Sequence, residues 1–234
     1  MKSRYRRGAT QVCIGVLGVL AAVAAVEHGV GEIRQGFRPA GSVMFRSWPD
    51  SPAFGSLNGE PAMTLVPSLG VSGILSSILV AIVLAVVAVR SAHRPHAGLV
   101  LAGVSLLLLL VGGGFGPPLL GLLLAATAVR ARAHGRPPGR LRRRLSQWWR
   151  PLLVVTVLAY LGLFPGTVVL SWLAGINSAG LVVVLIALAF GGFAATMTAA
   201  LTYDRLRGAG TEASLGASAA TDEAQSRAKP KPIR

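Results

Sequence analysis

The chain has 234 residues, 53% hydrophobic and only 13% charged, with a mean hydropathy of +0.62. A soluble domain needs a polar coat, so this balance excludes one and indicates a polytopic membrane protein with a single membrane domain. The formal charge of +15 does not indicate a nucleic-acid partner, because the basic residues cluster in links between apolar runs, and the lone Cys13 excludes both an intramolecular disulfide and a cysteine-based metal site.

The start, MKSRYRRGAT followed by an apolar run, resembles a signal peptide. The nearest cleavage candidate, Ala21–Ala25, is not followed by a soluble domain, so the run is read as a retained helix over Val12–Ile33. Gly15, Gly18, Ala22, Ala25 and Gly29 recur at intervals of three and four, a stripe of small residues that lets membrane helices approach closely. At about 100° per residue, His28 and Glu32 continue that inward face, whereas Glu27 falls on nearly the opposite side. An imidazole and a carboxylate one turn apart can hold a metal together, or the carboxylate can orient the ring. Two ligands are too few for zinc, so Glu60 or Asp50 would have to complete a site. The competing reading is a solvated or hydrogen-bonded helix end.

Residues 34–63 form an expected outer loop. Phe37, Met44, Phe45, Trp48 and Phe54 make it too apolar and aromatic for a slack linker. It is expected to pack on the membrane face or cap the bundle, with Trp48-Pro49-Asp50-Ser51-Pro52 as a rigid turn and the aromatics as interfacial anchors or a binding lid. Asn58-Gly59-Glu60-Pro61 reads as the opening of the second helix, with Glu60 at its positive dipole end. That helix is predicted over Thr64–Val89. Its Thr64, Ser68, Ser72 and Ser76, with Gly70, Gly73 and Ser77 beside them, form either a packing face or the lining of a narrow path.

The apolar region 97–129 would be about 50 Å long as one helix, too long for a hydrocarbon core of about 30 Å. GGGFGPP at Gly112–Pro118 breaks it, predicting a hairpin of short helices, Ala97–Gly113 and Pro117–Val129. No Lys-Ser/Thr follows the glycines, so this is not a phosphate loop. The basic loop 130–150 carries Arg142, Arg143, Arg144, Trp148 and Trp149, an expected contact with anionic lipid and the bilayer interface. The fifth helix, Pro151–Trp172, is expected to kink at Gly162, Pro165 and Gly166. The sixth runs from Ser178 to about Tyr203. The tail 204–234 has no apolar periodicity and is expected to be disordered and cytoplasmic.

Six helices with both ends inside place 20 of the 23 basic residues in cytoplasmic segments. A five-helix reading would put a basic link outside. No Asp, Glu, Lys, Arg or His falls within predicted helices two to six, which argues against a proton relay or ion-coupled carrier. The expected fold class is therefore an all-α membrane protein of about six transmembrane helices, N-in and C-in.

The strings EHGVGEI, SWPDSPAF, GEPAMTLVP and VGGGFGPPLLG together resemble a group of uncharacterised bacterial multi-pass membrane proteins, over roughly Val26 to Gly121. The resemblance implies a multi-pass protein of a bacterial plasma membrane and assigns no reaction or ligand. The functional expectation is a non-enzymatic membrane component without a cofactor, contacting the bilayer and a membrane-protein partner or a second copy of itself. Its outer face would bind a partner or small cation through Glu27, His28, Glu32 and Glu60. The alternative is a small permease or channel using the Thr64–Ser76 stripe. No nucleophile–base arrangement or His-rich motif is visible to suggest an enzyme.

Overall fold

A computed structural model describes residues 8–90, 94, 96–132, 138–176 and 178–228. Residues 1–7, 91–93, 95, 133–137, 177 and 229–234, and the side chains of Ser56, Ser77 and residues 209–228, lie outside the described residues. The chain is 76% helical with about seven helices and little sheet. The helices are α1 (Ala9–Arg34), α2 (Leu69–Arg90), α3 (Ala97–Leu110), α4 (Gly116–Arg130), α5 (Arg140–Ser146), α6 (Trp149–Ala174) and α7 (Ala179–Ala228). Among the described residues, four apolar segments are long enough to cross a membrane: α1, α2, α6 and Ala179–Gly208 of α7. The hairpin arms α3 and α4 have 14 and 15 residues. At 1.5 Å per residue they reach about 21–23 Å, short of a full hydrocarbon core.

The small-residue face of α1 explains its central place. It packs against α2, α4 and α7. Gly18 lets Ala88 of α2 come so close that a Cβ would not fit between them. Val16, Val19, Val23, Val26 and Val30 recur at three and four on the opposite, exposed face. Such a continuous apolar exterior suits lipid rather than water. Leu17, Leu84, Leu101, Leu108 and Leu124 fill the centre and are fully buried. In the hairpin, Gly121 admits the Ser105 hydroxyl, which returns its proton to Leu101 O at 2.7 Å. Between α6 and α7, Gly192 makes room for Thr156, whose hydroxyl meets that of Thr196 at 3.0 Å.

Contacts between helix ends settle the relative directions. At one end, both oxygens of Asp204 accept backbone N–H groups of Ala9 and Thr10, each at 2.8 Å. The Arg205 guanidinium donates to Arg130 O nearby at 3.1 Å. This terminal end gathers the start of α1 with the C-terminal parts of α4 and of the apolar segment of α7. At the opposite, loop end, Leu65 N–H donates to Leu110 O at 2.8 Å and Ser171 donates to Pro52 O at 3.4 Å.

Several expectations change. The second helix starts at Leu69, not Thr64, because Pro67 disfavours helix before it and Thr64 bridges to Val111 instead. The expected kink in α6 is a π turn over Gly162–Gly166, which accommodates Pro165 inside the helix. A second π turn, Leu75–Val80, interrupts α2. The tail expected to be disordered continues α7 as helix to Ala228, in keeping with its Ala, Glu, Gln and Arg content. The two tryptophans of the basic loop diverge: Trp148 is exposed, as are Arg142, Arg143 and Arg144, whereas half-buried Trp149 packs on Tyr203 at 6.0 Å between ring centroids.

Candidate functional site

The loop between α1 and α2 folds back over the loop end of α1. Strands β1 (Met44–Arg46) and β2 (Pro61–Met63) pair antiparallel with Phe45 opposite Ala62, and a 3-10 helix over Pro52–Leu57 lies between them. Gln35 at the end of α1 donates to Arg46 O at 2.9 Å and to Ser47 O at 3.0 Å. Gly31 makes this approach feasible, since a Cβ there would sit 2.5 Å from Ser47 O and 2.7 Å from the Trp48 ring. Trp48 stacks on Phe54 at 4.6 Å, with the Arg34 guanidinium 5.4 Å from its ring centroid.

This arrangement carries Glu60 inward. Asn58, Gly59 and Glu60 all have left-handed backbone, with φ of 54°, 68° and 53°. For Glu60, which has a Cβ, that conformation costs roughly 1–2 kcal/mol. Ser47 N–H to Glu60 O and Glu60 N–H to Leu57 O, both 3.0 Å, hold it there. Glu60 is therefore not the cap of the second helix, which begins nine residues later, but a buried side chain aimed at α1.

His28 Nδ1 lies 3.5 Å from Glu60 Oε2 and 3.1 Å from Ser47 Oγ. One ligand atom from each of Glu27, His28 and Glu60 falls within 4.8 Å of the others. His28 and Glu60 are each 3% exposed, so the group is recessed beneath the loop. None of the four carboxylate oxygens closes a hydrogen bond, nor does the Trp48 N–H that lies on the Glu27 side. One oxygen of Glu27 and one of Glu60 lie within 4.8 Å of each other, a spacing at which two ionised carboxylates repel and a shared proton or a cation relieves the repulsion. Burial drives the Glu60 carboxyl well above the ordinary carboxylate range, and the adjacent Glu27 adds to the rise.

The helical phase assigned Glu27 to a face away from His28, and the structure corrects this. At this level the loop wraps α1, so two neighbouring faces of the helix meet protein, and Glu60 reaches both residues. Glu32 is the residue set apart. It is fully buried beside Ser72 and under Gly112, where a Cβ would be 2.5 Å from Glu32 Oε1. Its oxygens close no hydrogen bond, while Ser72 Oγ meets Thr64 Oγ1 and donates to Val111 O, both at 2.8 Å. Asp50 is exposed and takes no part. Of the Thr64–Ser76 stripe, Thr64, Ser72 and Ser76 are buried and engaged in internal hydrogen bonds, as packing requires.

The tip of the α3–α4 hairpin closes the far side. Gly112 and Gly114, with φ of +95° and +71°, lie against Glu32 and His28 respectively. Tyr160 of α6 adds a phenol that the sequence did not single out. Its hydroxyl is buried and closes no hydrogen bond. The strings EHGVGEI, SWPDSPAF, GEPAMTLVP and VGGGFGPPLLG all contribute residues to this one region. The chain matches no family model, no curated protein and no solved structure.

Proposed function

We propose that the chain is a non-enzymatic component of a bacterial plasma membrane that binds a small cation at its outer face. In this reading all six apolar helices cross the bilayer, with the α3–α4 tip recessed beneath the outer loop and both chain ends cytoplasmic. The single observation that carries the site is the convergence of Glu27, His28 and Glu60, whose buried carboxylate oxygens close no hydrogen bond. Buried charges are costly unless paired or bound to a metal, and a cation removes that cost here. The bacterial assignment rests on the string resemblance, and the orientation on the distribution of Lys and Arg. Exposed Arg142, Arg143, Arg144 and Trp148 would contact anionic lipid on the cytoplasmic side, with half-buried Trp149 anchoring the helix entry.

The test is cation binding by the purified chain, wild type against Glu60→Gln and Glu27→Gln. Loss of stoichiometric binding in the variants supports the site, and equal binding in all three refutes it. Reporter fusions after Ser47 and Gly139 should report outside and inside respectively, and the reverse result overturns the topology. The permease alternative fits the structure less well, because three of the four hydroxyls of the stripe, those of Thr64, Ser72 and Ser76, face internal partners, while Ser68 Oγ is buried and closes no hydrogen bond.

A further inference from the structure

Resting on the cation-site reading above, we propose that the ion is a divalent first-row transition metal of the class that imidazole selects, with Zn²⁺ as its representative. It would be held by one carboxylate oxygen each of Glu27 and Glu60 and by Nδ1 of His28.

Three observations point to this class. First, ligand atoms about 2.1 Å from a tetrahedral ion lie about 3.4 Å apart. The 3.5 Å between His28 Nδ1 and Glu60 Oε2 matches that spacing. Second, the donor set separates the candidates. An imidazole suits zinc, iron or nickel, whereas Ca²⁺ takes six to eight oxygens and Mg²⁺ retains several waters. Neither fits a group of three side chains of which His28 and Glu60 are 3% exposed. With Cys13 the only cysteine, a thiolate-selected ion is excluded. Third, charge must balance where solvent is scarce. Two ionised carboxylates neutralise a divalent ion, while Na⁺ or K⁺ would leave a net negative charge buried.

The surroundings supply what such an ion needs. Ser47 Oγ, 3.1 Å from Nδ1, orients the imidazole towards the two carboxylates. Three protein ligands leave a coordination position open.

The experiment is calorimetric titration of the full chain in lipid nanodiscs with Zn²⁺, Mn²⁺, Mg²⁺ and Ca²⁺ in one buffer, with zinc X-ray absorption on the loaded protein. Zn²⁺ should bind one per chain, at least about 100-fold tighter than Mg²⁺ or Ca²⁺, with Mn²⁺ weaker than Zn²⁺. The absorption spectrum should show one imidazole and oxygen ligands. His28→Gln should weaken Zn²⁺ by at least about tenfold. Binding of Ca²⁺ or Mg²⁺ at equal or greater affinity overturns the proposal and leaves the cation-site reading intact. Binding of no ion overturns both. A zinc spectrum without imidazole overturns the proposal whether or not the His28 variant folds.

Discussion

Gly114 lies directly against the His28 imidazole, so close that a Cβ on it would penetrate the ring's van der Waals envelope. With φ of +71°, Gly114 also occupies backbone space that side chains avoid. Gly114→Ala should therefore cost roughly 1–2 kcal/mol from the backbone alone, plus the displacement of His28. The measurable result is a lower melting temperature together with weaker cation binding. A variant that melts like wild type would mean the hairpin tip does not press on the ring.

Glu32 and Glu60 are both buried carboxyls, yet only Glu60 belongs to the three-ligand group. Glu60→Gln should weaken binding by more than about tenfold, whereas Glu32→Gln should change it by less than about threefold. Titrating the two variants side by side decides this. Equal losses would reinstate the His28–Glu32 pair that helical phase alone suggested.

Asp204 joins the first and last helices by accepting the N–H groups of Ala9 and Thr10. A side-chain cap of this kind contributes about 0.5–2 kcal/mol, and the positive end of the helix dipole favours its charge. Asp204→Ala should destabilise the protein by that amount in thermal or denaturant melting, without altering cation affinity. A change in affinity would show that the two ends of the bundle are coupled.

The raised Glu60 carboxyl gives the metal-free protein a pH dependence of definite sign. Glu60 holds its proton in the folded state above the pH at which it would lose it unfolded. Its contribution is thus fully present below the ordinary carboxylate value of about 4.5 and declines as pH rises towards the elevated folded value. Melting of the metal-free wild type should show stability falling with pH above about 4.5, with a flatter profile in Glu60→Gln. Saturating cation should remove the difference by replacing the proton.

Much of the bundle was legible because lipid imposes simple rules. Apolar length marked the helices, GGGFGPP marked the hairpin, and the Gly/Ala spacing of α1 marked its buried face. His28 and Glu32 were correctly turned inward for that reason. Glu27 was misplaced because helical phase describes one helix in isolation and cannot foresee a loop folding back over a second face. Glu60 was misread because Asn58-Gly59-Glu60-Pro61 has the composition of a helix opening, and nothing local announces three successive left-handed residues. Tyr160 carried no signal at all. A single tyrosine in an apolar helix looks like any other until α6 is docked against α1 and the loop.

The Asp204 clamp also has a consequence for how the chain is made. Its two partners are separated by 195 residues in one contact and 194 in the other. The first helix enters the membrane before its cap has been synthesised, and translation at about 5–20 residues per second leaves it uncapped for roughly 10–40 s. The clamp closes only when the last helix emerges, so the first helix gains its final anchor at the end of assembly.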